Sequence, residues 1–462
     1  MTEIPLALRR KVDGMLQARS SQAIVRRDVL RLALPAMGEQ MLSMMVGIVD
    51  TFLVGHLGAA PLAAVGLANQ WVFVATMLFG AIATGATALI ARFIGAQEPD
   101  QANEVLRQSM LLGMFIGIAS TVLGLGLAEP AMRLLGAEEE VVGLGTAYLS
   151  VVSSIFFFST LMFIGNASLR GAGDTRTPLY VMLVVNALNI VVAWTAINGP
   201  FGLPKLGVVG SALGAAVGRF VGGALVVFIL LKGRAGIQLK LAGLRPDLDL
   251  IRRTLRVGLP TGLEQLLFRG GQMVFARILA ELGTVAFAAN QVAMNGWSLS
   301  FMPGFGFALA ATTLVGQSLG AQDPDGAQQR GYTAFRIGSG LMGAVGLAFV
   351  LVPAEIVGFF TEDPEIIALG AMPLRMVGLI QPLLAGTMIF AGGLRGAGDT
   401  RWPMAVTGVS IWLIRLPLAY LLALVFGWGL LGAWGALALD MSLRGLLNFL
   451  RFRSGRWKTV RV

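Results

Sequence analysis

The chain alternates between long apolar stretches and short polar connections. Each stretch is about 20 residues or longer, the length of a helix that crosses the hydrocarbon of a bilayer. Only helices and closed barrels satisfy every backbone group in lipid, and barrel strands would show short alternating segments instead. The pattern predicts twelve transmembrane helices, near residues 33–55, 64–91, 108–128, 142–169, 178–197, 208–231, 257–280, 286–316, 333–353, 366–394, 403–425 and 430–450.

Composition excludes a water-soluble globular domain. Hydrophobic residues make up 56% of the chain and charged residues 13%, and the mean hydropathy is +0.76. A soluble domain carries about 25% charged residues. We therefore predict an all-α polytopic protein of the cell (inner) membrane, with lipid as a partner. With no cysteine and one histidine, we expect no thiol chemistry, no metal centre and no cofactor.

The positive charges predict an orientation. The net charge is +10, but the basic residues lie in short pieces between apolar stretches, so we expect no nucleic-acid partner. Seven basic residues precede residue 33 and seven lie between 232 and 256, whereas the connections on the opposite side carry mostly acids. Basic residues accumulate on the cytoplasmic side, which predicts that both termini are cytoplasmic.

The sequence is also an internal duplication. The segment Arg-Gly-Ala-Gly-Asp-Thr-Arg begins at Arg170 and again at Arg395, and Pro35 returns as Pro260 at the same separation, which we call the repeat offset. Two halves with six spans each are parallel repeats that bind substrate between them. The predicted units are a cytoplasmic arm 1–32, an N-lobe 33–231, a linker 232–256, a C-lobe 257–450 and a tail 451–462.

The repeated loops have a structural interpretation, which we favour over a gating role. Their glycines end one helix, and Asp174 and its repeat Asp399 cap the next. Arg170 and Arg395 anchor the loops at the membrane surface.

Two acids follow the repeated prolines by about one turn. Glu39 follows Pro35, and Glu264 follows Pro260. Proline bends a helix, so each acid is either part of a gate or a carboxylate at headgroup level, and we favour the second interpretation.

These residues resemble the multidrug and toxic compound extrusion (MATE) family. The matching features are Asp50 within Val-Asp-Thr, the two asparagines Asn186 and Asn189, the segment Gln291-Val-Ala-Met-Asn295 and the doubled loops. The resemblance implies a V-shaped pair of six-helix lobes around a central cavity. It also implies export of cationic or amphipathic compounds, driven by inward flow of H⁺ or Na⁺.

Asp50 is the leading candidate for ion coupling. An ionisable group at bilayer depth is costly and is a functional hypothesis by default. Gln40, Ser43 and Gly47 share its helix face, and removal from water favours a neutral carboxyl, so Asp50 is a candidate proton-binding group. Amide oxygens of Asn186 and Asn189 would instead complete a Na⁺ site.

The resemblance favours H⁺ over Na⁺ in this chain. Many family members with a Na⁺ site carry a second acid four residues after the asparagine that matches Asn189, and here that residue is Ala193. The position that repeats Asp50 in the second half is Phe275. We therefore expect coupling in the N-lobe.

Polarizable and neutral polar side chains supply the candidates for a substrate cavity. Methionine adapts to differently shaped ligands and aromatic rings attract organic cations. The candidates are Gln40, Met44, Asn69, Gln70, Phe156, Gln291, Asn295 and Trp297.

Three further charges inside apolar stretches receive no functional role from the sequence. They are Arg219, Arg415 and Asp440. Asp440 can pair with Arg444 one turn later on the same helix face, or with Arg415 across helices.

The predicted function is that of a secondary transporter for small organic molecules, acting as a monomer. No phosphate-binding Gly-x-x-x-x-Gly-Lys loop is present, and no nucleophile–base set indicates an enzyme. A lipid-linked precursor flippase and a major-facilitator carrier are the alternatives. Twelve spans with one acidic site disfavour the first, and the arginine-poor Gly95-Ala-Gln-Glu-Pro-Asp loop disfavours the second.

Overall fold

The computed structural model describes residues 6–200, 204–240 and 245–460, with side chains from residue 22 onward. Residues 1–5 of the predicted arm, 241–244 of the linker and 461–462 of the tail lie outside the described residues, and residues 6–32 of the arm continue the first helix. The first half contains α1 (Leu6–Gly55), α2 (Ala59–Gly95), α3 (Pro99–Gly126), α4 (Ala128–Leu134), α5 (Glu139–Ser154), α6 (Phe156–Gly171), α7 (Arg176–Asn198) and α8 (Val208–Lys232).

The second half repeats this order with more interruptions. Its fifth span is α16 and α17 with a π-helical turn after each, at Ser410–Arg415 and Leu421–Val425. The helices are α9 (Leu248–Ala280), α10 (Thr284–Ser298), α11 (Phe301–Gly320), α12 (Pro324–Leu351), α13 (Pro353–Gly358), α14 (Pro364–Leu379), α15 (Gln381–Gly396), α16 (Arg401–Val409), α17 (Leu416–Tyr420) and α18 (Gly429–Arg453).

The all-helical, two-lobed fold class is confirmed. Eight helices are long and apolar enough to cross a membrane, and the number rises to 11 when each bent pair counts as one span. α9 is not apolar enough to be counted with them, but its 33 residues extend about 50 Å at 1.5 Å per residue. It also repeats α1 at the repeat offset, and it is the twelfth span.

Three predicted spans are wrong as single helices, because each is a bent pair. The stretches 142–169, 286–316 and 366–394 bend by 53°, 45° and 56°. Pro303 and Pro382 explain two of the bends, since a proline ring collides with the carbonyl four residues earlier. The remaining bend, at Ile155, has no adjacent proline. Ile155 and Ile380, where the third pair bends, are partners under the repeat offset, so the two lobes bend at equivalent positions.

The starts of α1 and α9 are exchanged between the lobes. Val29 and Leu32 of α1 belong to the hydrophobic core of the C-lobe, and Leu250 of α9 belongs to a core of the N-lobe. The exchanged segments precede Pro35 and Pro260, which lie inside their helices. The first helix of each lobe therefore begins inside the other lobe. Residues of the predicted arm (1–32) and linker (232–256) thus belong to the hydrophobic cores.

Two repeated glycines bring the lobes into backbone contact. A Cβ built on Gly95 would lie 1.9 Å from the carbonyl oxygen of Gln317, and one built on Gly320 would lie 1.9 Å from that of Arg92. The two contacts are equivalent under the repeat offset. Gln317 and Thr313 also donate hydrogen bonds across the lobes, to carbonyls at the end of α6. This end of the molecule therefore closes only with glycine at both positions.

Buried ion pairs fasten the repeated loops to the first helix of each lobe. The Arg170 guanidinium lies 2.6 Å from the Glu39 carboxylate, and the Arg395 guanidinium lies 2.8 Å from that of Glu264. Both acids are buried in these ion pairs, and their position at headgroup level stays a prediction. Because a buried charge is stable only when paired, each pair ties a loop to the helix just after its proline.

The predicted helix cap is present in the first loop only. Asp174 accepts hydrogen bonds from the backbone N–H groups of Arg176 and Thr177. Burial would raise the pKa of Asp174, but the hydrogen bonds from Thr177 and Arg234 outweigh it and hold that pKa below its usual value. Asp399 instead pairs with Arg451 of α18 at 2.8 Å. Gly173 and Gly398 adopt φ of 93° and 85°, as predicted for glycines that end a helix.

We predict that Gly320→Ala separates the lobes at their closed end, because the added methyl group meets the Arg92 carbonyl. Spin labels on cysteines introduced at Gln101 and Gln329 would report the distance between the lobes, since the chain has no native cysteine. The distance should lengthen. Gly343→Ala is the matched control, because its Cβ meets nothing within 4 Å. An unchanged distance in the Gly320 variant would contradict the contact.

We predict that Glu39→Gln lowers the free energy of unfolding by roughly 3–5 kcal/mol, because it leaves the buried Arg170 without its acid. The double variant Glu39→Gln/Arg170→Met should lose less than the sum of the two single variants. Denaturant unfolding in detergent measures all three variants. Strict additivity would show that the two side chains do not act as a pair.

Candidate functional site

Asp50 and Asn189 meet inside the N-lobe. α1 packs along α7, and the Asn189 side-chain nitrogen lies 3.4 Å from a carboxylate oxygen of Asp50. Asp50 is 7% exposed and Asn189 1%. The Oδ1 atom of Asn189 is buried and has no hydrogen-bond partner. The structure thus brings together the two residues that the sequence singled out, with one amide oxygen free to bind a ligand.

Asn186 forms no hydrogen bond to Asp50 among the described residues. It is buried, but its side-chain nitrogen donates to the Met182 carbonyl of its own helix, at 2.8 Å. Ala193, one turn beyond Asn189, is fully buried and in contact range of Gly214 of α8. The packing of α7 on α8 therefore leaves no space where a second acid would stand.

A polar cavity runs beside this pair. Its volume is about 160 Å³, enough for a few water molecules. It connects the Glu39–Arg170 ion pair at one end with Asn189 and Arg219 at the other. The lining residues are Glu39, Gln40, Ser43, Val46, Met162, Phe163, Asn166, Arg170, Met182, Val185, Asn189, Ala215 and Arg219.

Asp50 differs from the other buried acids of the described chain in one respect. Those acids are Glu39, Glu264, Asp399 and Asp440, and each forms an ion pair with an arginine at 2.6–2.8 Å. Asp50 has no ion pair within the described residues. Arg219 of α8 and Tyr148 of α5 lie near enough to interact with it electrostatically, but neither bonds to it directly. Asp50 is the buried acid left open to a mobile cation.

Sequence reasoning assigned no role to Arg219. A signal was nevertheless present, because Arg219 recurs at the repeat offset as Arg444. In the N-lobe this arginine lines the cavity and faces Asp50 at a distance. In the C-lobe its counterpart is bound to an acid.

The corresponding region of the C-lobe is filled by fixed charges. Phe275 takes the place of Asp50, and the Arg415 guanidinium stacks 4.1 Å from the centre of its ring. Arg415 also donates to Gln272 at 2.5 Å. Asp440 pairs with Arg444 at 2.8 Å, as the helical spacing predicted, rather than forming a direct bond to Arg415.

A π-helical turn carries Arg415 into this cluster. The turn spans Ser410–Arg415, and Pro417 follows it. Proline lacks an N–H and clashes with the carbonyl four residues earlier, and π turns occur often at functional sites. Ser410, at the start of the turn, donates to Asp440 at 2.5 Å. The repeated stretch in α7 is an uninterrupted α-helix, so the two lobes present different chemistry at equivalent positions.

Gln70 and Arg269 meet between the lobes. The Arg269 guanidinium donates to Gln70 of α2 at 3.3 Å and lies 5.1 Å from the centre of the Phe73 ring. Asn69, Gln291 and Asn295 are exposed, and Gln40 and Met44 are partly exposed. Of the predicted cavity residues, the structure places Gln70 on the surface between the lobes.

Two predicted cavity residues are instead packed inside the lobes. Phe156 is 3% exposed and Trp297 2%. Phe156 contacts Phe79 edge-on, with 5.9 Å between ring centres, and Trp297 packs against Trp434 at 5.8 Å. The prediction that these two line a cavity is wrong for this structure. Large rings gain more from burial against other rings than from facing a wet cavity.

Comparison with known proteins identifies the family. The MatE family model matches residues 35–195 and 260–421, which are the two repeats. A probable multidrug resistance protein NorM of Thermotoga maritima is 36% identical over 438 residues, covering 94% of this chain and 93% of its own. A multidrug resistance protein NorM of Burkholderia vietnamiensis is 30% identical and covers 92% of this chain and 93% of its own.

The fold is also that of a solved family member. The outward-facing conformation of a multidrug resistance MATE family transporter superposes with a TM-score of 0.87 at 24% identity, covering 93% of this chain and 95% of the other. A MATE structure in the bent conformation gives the same score. With its two matched repeats and its membrane-spanning helices, the chain belongs to the MatE family of integral membrane transporters.

Proposed function

We propose that this protein is a multidrug efflux antiporter that exports amphipathic or cationic organic compounds in exchange for H⁺. The observation that carries the proposal is Asp50, a buried acid without an ion pair in the described chain, beside a polar cavity. A carboxyl in that position can exchange a cation with water without breaking a permanent ion pair. The names of the relatives support multidrug export as the transported class.

The donor atoms around Asp50 favour H⁺ over Na⁺. A bare Na⁺ needs several oxygen ligands, and here the Asp50 carboxylate has one free amide oxygen beside it, that of Asn189. The Asn186 side-chain nitrogen is held by a carbonyl of its own helix, and Ala193 stands where a second acid would help. A proton needs only the carboxylate and a path through the cavity. No organic or metal cofactor is required by this mechanism.

The buried charges around Asp50 in the N-lobe and around Asp440 in the C-lobe give each lobe a separate role in alternating access. The N-lobe changes its charge when Asp50 gains or loses a proton, whereas the C-lobe keeps its charge fixed through Asp440 and Arg444. Protonation of Asp50 removes a buried negative charge near Arg219 and α7. We propose that this change alters how α1 packs on α7 and so biases the tilt of the lobes. The protein works in this scheme as a monomer.

The termini are proposed to lie in the cytoplasm and the chain in the inner membrane. The Arg92 side chain donates to the Val460 carbonyl, and Arg31, Arg176, Arg234 and Arg330 line one cavity. The tail, the start of α1 and the basic loops thus gather at one end of the molecule. Positive residues mark the cytoplasmic side, which supports this orientation.

The family and its relatives also argue against the two alternative functions, a major-facilitator carrier and a lipid-linked precursor flippase. Membership of the MatE family excludes a major-facilitator carrier. A flippase for lipid-linked precursors has no specific support among the described residues, and the relatives are named as multidrug resistance proteins.

We predict that Asp50→Asn abolishes uphill export, because the amide cannot exchange a proton. Proteoliposomes and a fluorescent organic cation would measure the ratio of cation concentrations across the membrane. For the Asp50 variant this ratio should fall to that of liposomes without protein. Glu140→Gln removes an exposed acid and should transport normally. Uphill export by a correctly folded Asp50 variant would refute the role of this residue.

We also predict that a pH gradient alone drives export and that a Na⁺ gradient alone does not, since Asp50 has too few oxygen partners for Na⁺. The same proteoliposomes would be energised by one gradient at a time, with the membrane potential clamped. Export that follows the Na⁺ gradient at equal pH would overturn proton coupling. The transporter assignment would survive that result.

A further inference from the structure

Each lobe carries an exposed cluster of arginines at the membrane boundary that transport does not use. The first cluster is Arg27 and Arg31 on α1 and Arg176 at the start of α7, and all three are exposed. Together with Arg26, they line a groove of about 1010 Å³. None of the four forms an ion pair in the described chain. We call this set the N-lobe groove.

The duplication repeats this cluster residue by residue. At the repeat offset, Arg27, Arg31 and Arg176 become Arg252, Arg256 and Arg401. These three are also exposed and also lack an ion pair within the described residues, and α16 packs on α9 as α7 packs on α1. We call this second set the C-lobe groove. A general excess of positive charge at one membrane face does not require arginines on the same helix faces in both halves.

An apolar residue lies directly below each pair of arginines. Leu34 is 55% exposed and Leu259 is 50% exposed, and they too are partners under the repeat offset. Leu34 lies seven residues after Arg27, or about 10 Å deeper along the helix. Leu30 lines the N-lobe groove between them. The N-lobe groove is therefore basic at one end and apolar at the other, and the C-lobe residues repeat the same order along α9.

The acids near the N-lobe groove do not neutralise it. Asp28 lies on α1 beside the groove, and with Asp174 it lines an adjoining cavity that Arg31 and Arg176 also line. Asp174 is already bonded to Arg234 at 2.9 Å and to the start of α7. Neither acid is within ion-pair distance of Arg31 or Arg176. The groove therefore keeps four guanidinium groups without a direct ion pair in the described chain, and guanidinium groups bind phosphate in forked geometry.

We propose that each groove binds the phosphate headgroup of an anionic phospholipid, with its acyl chain along Leu34 or Leu259. Basic pockets between transmembrane helices are the usual sites for such headgroups. A lipid held there would bridge the exchanged helix start, α1 or α9, and the fifth span of the same lobe. It would therefore stabilise the exchanged arrangement at the closed end of the molecule.

Native mass spectrometry of the full-length protein tests this proposal. Protein is taken from nanodiscs of phosphatidylcholine mixed with phosphatidylglycerol, and the retained lipids are counted. Wild type should retain two phosphatidylglycerol molecules. The triple variants Arg27→Gln/Arg31→Gln/Arg176→Gln and Arg252→Gln/Arg256→Gln/Arg401→Gln should each retain one, and the sextuple variant none. Affinity should fall about fivefold for each arginine removed.

A matched control removes the same charge elsewhere. Arg245→Gln/Arg453→Gln/Arg456→Gln takes away three exposed arginines outside both grooves and should still retain two lipids. Equal loss in this control would overturn the proposal in favour of a diffuse positive field, as would equal retention of phosphatidylcholine by wild type. Inorganic phosphate should neither displace the lipid nor raise the unfolding temperature in zwitterionic nanodiscs. If it does either, the grooves bind free phosphate and the lipid assignment fails.

Discussion

Pairing of buried charge governs how this molecule is assembled. Lipid and packed helices offer no water to an ionised group, so a buried carboxylate needs a cation from the protein itself. Glu39, Glu264, Asp399 and Asp440 each have an arginine, and three of these pairs join separate helices or hold a loop. Because these charges are already neutralised, they fix the geometry and leave Asp50 as the one able to respond to an external cation.

Duplication provided the two lobes with the same skeleton and different chemistry. The interlobe glycines, the loop arginines and the helix-bending prolines recur at one offset and form equivalent contacts. The side chains around Asp50 in the N-lobe differ from those around Phe275, its repeat partner in the C-lobe. One encloses a polar cavity with an unpaired acid, and the other is closed by Arg415 stacked on a ring. The two lobes thus share a backbone arrangement and differ in the side chains at these equivalent positions, the difference on which the proposed coupling rests.

Exchange of the helix starts links the two lobes mechanically. Val29 and Leu32 of α1 lie in the core of the opposite lobe, while Asp50 lies on the same helix about 30 Å away at 1.5 Å per residue. A change in packing around Asp50 can therefore reach the other lobe through one continuous helix. Pro35 lies between these regions, next to the Glu39–Arg170 pair, and gives α1 a weak point at which to bend.

The sequence by itself determined the membrane class, the two six-helix halves and the family, and it singled out Asp50 as a candidate. Those conclusions follow from the length of apolar stretches, from a constant offset and from motifs, all of which are local or periodic. It did not determine that Glu39 meets Arg170, that α1 and α9 exchange their starts, or that the Asn186 side chain donates to its own helix. It also placed Phe156 and Trp297 in a cavity, because an aromatic residue in an apolar span looks the same whether it faces a cleft or a core. Such contacts join residues far apart in the chain, and their partners are set by how helices pack side by side, which only the tertiary structure decides.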